Sequence, residues 1–256
     1  MTNLISFGYE DESLKTWKDE DVAIIELKDC VYGTITDLAE SGRLLSFFHA
    51  AEIDPSVTIL MLTSTTTCFS ADKFATFLER IRPRSNGDEV MINESELRTQ
   101  RLRYAHVLNR VVLQMADFKK ISAVCLRGEV VTPFFGASLA ADLRFVTPCM
   151  AYDPAHGRHG ISPGGGLPFF LSLYIGYARA SEILYSGRGL DARELLELGL
   201  INDIIPLEDF QTQCIIRLKE FSKSRARHTL LSTKMLLATA RSGLNHYFER
   251  EAALIV

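Results

Sequence analysis

The sequence predicts an α/β protein with a helical C-terminal layer, and three observations predict it. Short apolar, β-branched runs alternate with amphipathic stretches at helical spacing as far as about Gly166. Beyond Gly166 almost everything reads as helix. The chain has 256 residues, 47% of them hydrophobic, which is enough to bury one substantial core.

The elements follow in order. Residues 21–28 (DVAIIELK) form the first clear strand. Residues 36–51 place Leu38, Leu44, Leu45 and Phe48 at helical spacing. Residues 56–63 (SVTILMLT) are almost continuously apolar, the pattern of a strand covered on both faces. Pro83, Asn86 and Gly87 mark residues 81–89 as a loop, and a long helix is expected over 94–118. Residues 122–126 and 143–146 are further strands. Helices are then expected over 167–177, 180–186, 192–198, 207–224 and 228–256, with a short strand at 201–205. No internal repeat or low-complexity segment stands out.

Composition excludes several function classes. A formal net charge of -4 gives no electrostatic footprint for nucleic acid. Residues 1–12 are polar and acidic, unlike a signal peptide, and no apolar run is long enough to cross a bilayer, so a cytoplasmic protein is expected. The five cysteines form no C-x-x-C pair and read as buried reduced thiols.

The informative segment is 122–206. Residues 128–145 read GEVVTPFFGASLAADLRF: a glycine after a strand, a tight segment, a helix, then Asp142-Leu143-Arg144 opening a new strand. Gly160-Ile161-Ser162-Pro163-Gly164-Gly165-Gly166 follows. Ile175-Gly176, Ala180–Leu184, Ser186-Gly187, Leu190-Asp191-Ala192, Leu198-Gly199-Leu200-Ile201 and Ile205-Pro206 then come at nearly fixed spacing. Upstream, Leu62-Thr63 leads to Phe69-Ser70-Ala71. Taken together, these pieces resemble the crotonase, or enoyl-CoA hydratase/isomerase, superfamily across most of the chain. The resemblance implies a crotonase fold, with a core of repeated β-β-α turns and a helical C-terminal layer. It implies one continuous domain, with residues 1–200 as core and 201–256 as a helical trimerisation region, assembled as a homotrimer or hexamer. It also implies an acyl thioester substrate, carried on CoA or on the phosphopantetheine arm of an acyl carrier protein, and no cofactor. Fold alone does not fix the reaction.

Three departures from the family pattern bear on that reaction. The resemblance implies two backbone N–H donors for the thioester oxygen. The family's glycine triplet maps to Thr132-Pro133-Phe134, so its middle residue, the expected donor, is Pro133, which has no N–H. Either the hole is weakened, or the donor shifts, for example to Phe134. Proline is also favoured in the first turn of a helix on structural grounds alone. The second donor falls at Ala71 or Asp72, in a loop that lacks the family's glycine; Lys73 is a pocket candidate or a solvent-facing lysine.

The third departure concerns the acid/base pair. The two hydratase glutamates map to Gly136 and, counting back from Gly160, to His156; a slip of one residue gives Ala155 instead. Histidine titrates near neutral pH, which makes His156 the catalytic candidate, as a general acid, against the plainer reading of a locally bonded loop histidine. His156 and His159 form H-x-x-H, but no third ligand is in place and no metal is expected. Tyr104 and His106 on the long helix are pocket candidates or helix-face packing, and the same holds for His246 and Tyr247 on the last helix. The segment 28–33 also lacks the proline and asparagine with which CoA-gripping relatives meet the nucleotide, which points towards a carrier-bound acyl group. Enolate chemistry, as decarboxylation or a double-bond shift, needs no pair of water-activating carboxylates. A non-catalytic scaffold and an ordinary hydratase are the alternatives. GISPGGG resembles the polyketide-associated decarboxylase branch.

Overall fold

The computed structural model describes residues 6–29, 32, 38–80, 94–224 and 226–254. Six strands form one sheet in the order β1-β2-β3-β4-β6-β9: Leu14–Asp19, Val22–Leu27, Ile59–Ser64, Ile121–Leu126, Leu143–Val146 and Asp203–Ile204. β1 and β2 pair as an antiparallel hairpin, and every other pairing in the sheet is parallel. β3 and β4 are buried at every position, as parallel strands covered on both faces are.

A second, three-stranded sheet takes β5 (Glu129–Val131), β7 (Ala151–Asp153) and β8 (Leu190–Asp191) in the order β5-β7-β8. The chain leaves β4 through Arg127-Gly128, enters β5 and closes with helix α4 (Phe134–Ser138). It repeats the turn as β6, β7 and helix α5 (Ala155–Arg158). These are the β-β-α turns that the resemblance implies, and each runs from the larger sheet through the smaller one into a short helix.

The longer helices are α1 (Leu38–Ile53), α2 (Ala71–Arg80), α3 (Glu94–Ala116), α6 (Leu167–Ser186), α7 (Ala192–Glu197), α8 (Phe210–Ser224), α9 (Arg227–Ala238) and α10 (Leu244–Ala253). Where boundaries differ from sequence expectation, the reasons are local. β1 went unpredicted because an edge strand buries only alternate side chains, here Leu14 and Thr16, so its sequence reads as polar. The expected helices at 167–177 and 180–186 merge into α6, with Gly176 as the non-helical joint at φ 77°. The expected helix at 228–256 breaks: a 3-10 turn at Thr239–Arg241 and Gly243 separate α9 from α10. The expected strand at 201–205 shortens to Asp203–Ile204. The expected loop at 81–89 lies outside the described residues, as do Cys30, Val31 and Gly33 of the segment 28–33.

The C-terminal helices are tied back onto the core. Buried Lys234 on α9 donates to Asp142 Oδ2 at 2.7 Å and to the Lys120 carbonyl at 2.5 Å, where β4 and β6 begin. Leu244 and Phe248 on α10 join the main apolar cluster with Phe135, Leu167 and Phe170. α10 is thereby laid against α3 and the start of α6. Among the described residues, no helix is long and apolar enough to cross a membrane.

Candidate active site

A cavity of 380 Å³ opens between α2, α3, α4, α5 and α10. Its apolar wall is aromatic: Phe74 and Phe77 come from α2, Tyr104 from α3 and Phe134 from α4. Its polar wall carries Thr132, His156, Asn109 and Glu251.

Two of the four candidate oxyanion positions, Ala71 and Pro133, are compromised. Ala71 is the first residue of α2, so its N–H has no acceptor within the helix. Glu129 on β5 supplies one: its Oε2 accepts the Ala71 N–H at 2.7 Å. A carboxylate at a helix N-terminus is favourable in itself, and here it occupies one of the two amides, Ala71 and Asp72, that the resemblance offers as a donor. Pro133 sits before α4 and offers no N–H, and its peptide bond to Thr132 is cis. The amide of Phe134 lies in the first turn, where helical N–H groups lack intrahelical acceptors. Its ring is held by a stack on Phe69 (4.6 Å) and an edge contact with Tyr32 (5.0 Å).

Gly136 faces away from the cavity. A Cβ there would stand 2.8 Å from the Gly165 carbonyl and 2.9 Å from the Leu167 nitrogen. The glycine run at 164–166 has packed onto α4 at the position of the first hydratase glutamate.

His156, on α5, is buried and borders the cavity. Its Nδ1 lies 3.0 Å from Thr132 Oγ1, and Thr132 Oγ1 lies 3.0 Å from the buried Tyr152 hydroxyl. Burial pulls its pKa below the ordinary histidine value, against a weaker opposing pull from Asp153, so the ring is neutral at pH 7. His159 also lines the cavity, with its ring edge-on to Phe74 at 5.8 Å, and Tyr104 packs edge-on to Phe77 at 5.4 Å. The remaining sequence candidates lie elsewhere. His106 and Asp72 are exposed, and Lys73 faces Asp29 across 3.8 Å at the surface. His246 is exposed beside Glu249, whereas Tyr247 turns inward. Among the described residues, no cluster of histidine, cysteine and carboxylate side chains is arranged to hold a metal.

Sequence reading missed Glu251. It lies on α10, 6% exposed, on the face that also carries Leu244, Tyr247 and Phe248. Its Oε2 accepts the Gly166 N–H at 3.2 Å, and the Gly165 N–H and Tyr247 hydroxyl also donate to the carboxyl. With its amide oriented to satisfy its neighbours, Asn109 donates to Oε1 at 3.3 Å. Burial raises the Glu251 pKa, and these donors only partly offset it. No cation pairs with Glu251 among the described residues. The available signal was its spacing: seven residues after Leu244 and three after Phe248, a carboxylate falls on an apolar helical stripe.

Comparisons agree with this architecture. A solved enoyl-CoA hydratase of Bacillus halodurans superposes with a TM-score of 0.73 at 21% identity, covering 94% of this chain and 93% of that one. A chain from Thermobifida fusca YX, solved in complex with CoA, superposes at 0.68 with 20% identity, covering 95% and 92%. In sequence, 4-chlorobenzoyl coenzyme A dehalogenase-1 of Arthrobacter sp. is 31% identical over 179 residues, 68% of this chain. The chain spans 61% of the length of that relative. The family model for enoyl-CoA hydratase/isomerase matches residues 18–256, and the chain belongs to that family.

Proposed function

We propose that the protein acts on an acyl thioester, carried on CoA or on the phosphopantetheine of an acyl carrier protein, by enolate chemistry. Decarboxylation or a double-bond shift fits the site, and two-glutamate hydration does not. One observation carries this reading. The cavity holds one buried carboxyl group, Glu251, and one buried neutral imidazole, His156, while neither hydratase position bears a carboxylate.

A base works best when its pKa lies near the operating pH, and burial moves Glu251 in that direction. In a double-bond shift, the Glu251 carboxylate takes the α-proton of a β,γ-enoyl thioester. The C–H electrons pass into a dienolate, and the carboxyl returns the proton at the γ-carbon. In decarboxylation, the C–C bonding pair enters the enolate as CO2 leaves, and protonated Glu251 supplies the α-proton. Neither route activates water. A trimeric or hexameric assembly belongs to the same reading, supported by the exposed Met235, Leu236 and Leu237 of α9 (66, 73 and 68%).

The test offers CoA-bound and carrier-bound 3-methylglutaconyl-type, β,γ-enoyl and crotonyl thioesters to the purified protein and follows product mass. Loss of CO2 or an isomerised product supports the reading. Addition of water to crotonyl-CoA at a hydratase's rate refutes it. A second reading, a scaffold that binds a carrier or partner without turnover, is favoured by Glu129 on the Ala71 amide together with Pro133. Carrier binding by a folded protein that turns over no thioester would establish that reading.

A further inference from the structure

We propose that His156 donates a hydrogen bond from Nε2–H to the thioester oxygen, replacing in side-chain form the backbone donor that Pro133 lacks. This rests on the thioester reading above and assigns His156 the part of an electrophile in place of a general acid.

Three side-chain protons are shared along the buried run Tyr152–Thr132–His156. Tyr152 and Thr132 each carry one hydroxyl proton, and a neutral imidazole carries one ring proton. The Tyr152 hydroxyl is buried, and among the described residues its one hydrogen-bond partner is Thr132 Oγ1. Thr132 Oγ1 in turn meets His156 Nδ1. If Nδ1 carried the ring proton, it would donate to Thr132, and Thr132 would either donate to Tyr152 or accept from it. One hydroxyl proton, that of Tyr152 or of Thr132, would then be buried with no acceptor, at the full cost of its desolvation. The opposite order pairs both hydroxyl protons: Tyr152 donates to Thr132, and Thr132 donates to Nδ1. The ring proton is then left on Nε2.

Nε2 has no hydrogen-bond partner among the described residues, and His156 lines both the 380 Å³ cavity and a second one of 280 Å³. Thr132, which fixes the ring, is the residue directly before Pro133. The replacement donor therefore stands on the same wall as the missing one. Pro133 Cβ lies 3.5 Å from where a Cβ on Gly164 would stand, and Glu251 Oε1 lies 3.9 Å from that same point, so the proline and the carboxyl group both approach this glycine. Burial independently keeps His156 uncharged, which suits a donor that keeps its proton, since losing it would leave an imidazolate. Preorganised side-chain donors of this kind serve oxyanion holes elsewhere, histidine among them.

The test combines a tautomer measurement with three variants. Nitrogen-15 NMR of the wild type at pH 7 should show His156 neutral and protonated at Nε2. A ring protonated at Nδ1, or an imidazolium, overturns the proposal. On whichever thioester the wild type turns over, H156A should lower kcat by about 100- to 1,000-fold with KM little changed. H156Q places an amide N–H near the same reach and does not ionise, so it should recover at least tenfold of that loss (about a 1.4 kcal/mol recovery). T132V, which deprives Nδ1 of its donor, should lower kcat and release the tautomer. Thermal melting establishes that each variant is folded. A folded H156Q as inactive as H156A overturns the hydrogen-bond role. So does a pH limb between about 5 and 8 that vanishes in H156Q, because it makes His156 an acid or base. An inert wild type overturns the thioester reading and this role together, whereas an active wild type with the wrong tautomer overturns this role alone.

Discussion

Restoring the first hydratase carboxylate by G136E should unfold the site rather than convert it, and the magnitude can be worked from G136A. An alanine Cβ at 136 would meet the Gly165 carbonyl oxygen and Leu167 Cβ at 2.8 Å and the Leu167 nitrogen at 2.9 Å. Two of these three atoms are backbone and the third is attached directly to it, so no flexible side-chain end can give way. The first turn of α6 has to move instead, and overpacking of this kind costs about 1–3 kcal/mol. Helix propensity opposes it, since glycine to alanine gains about 1 kcal/mol in a helix interior and less in a helix as short as α4. The net expectation for G136A is a loss of about 1–2 kcal/mol, or about 2–8 °C in Tm for a chain of this size. G136E adds four heavy atoms and a charge and should lose more than twice that. Scanning calorimetry reads both, with a crotonyl-CoA assay on any folded G136E. A Tm for G136A at or above wild type refutes the packing argument. Hydration by G136E refutes the claim that the position is closed.

Three further outcomes follow from the same geometry. Glu251 has a folded-state pKa above its unfolded value of 4.5, so the native state holds the extra proton in the window between them. Its contribution to stability is present below about 4.5 and is lost as pH rises through the folded pKa. Urea titrations across pH should show the wild type losing stability relative to E251Q over that window, and parallel curves would contradict the raised pKa. E129A removes a charge-assisted bond and should destabilise the protein by about 1–2 kcal/mol, with faster hydrogen exchange at the Ala71 amide. Unchanged protection at Ala71 would show that the contact is not made in solution. K234A leaves Asp142 without its cation and α9 without its tie to the sheet, and should cost about 3 kcal/mol by urea unfolding. A loss under about 0.5 kcal/mol, the scale of an ordinary surface change, would refute a structural role for the pair.

The fold was legible because its signals are local and repeated. Val22–Leu27, Ile59–Ser64 and Ile121–Leu126 are apolar runs with one reading, and the glycines at 128, 160 and 164–166 punctuate the chain that follows them. The half-exposed edge strand Leu14–Asp19 was not legible, because a period of two in a charged segment looks like a loop. Neither was the break at Gly243, which interrupts an otherwise helical pattern. The site divides in the same way. His156, Thr132 and Pro133 could be placed from spacing along one segment. Glu251 could not, because its partners at 109, 165 and 166 lie far off in sequence, and only packing of α10 against α3 and α6 brings them together. Exposure likewise separates Tyr104 from His106, two residues apart on one helix and on different faces.

What has changed at this site is the source of its polar groups. In the arrangement the family pattern implies, backbone amides receive the thioester oxygen and core carboxylates move the proton. Here one such amide is spent on Glu129, the glycine-run amides are spent on Glu251, and Pro133 contributes none. On the reading proposed above, the buried Glu251 carboxyl and the His156 imidazole take over, both lining the cavity that Pro133 also lines. Backbone donors cannot be removed by changing a side chain, short of proline, but side-chain donors can. Single substitutions at His156 and Glu251 should therefore separate stabilisation of the enolate from movement of its proton.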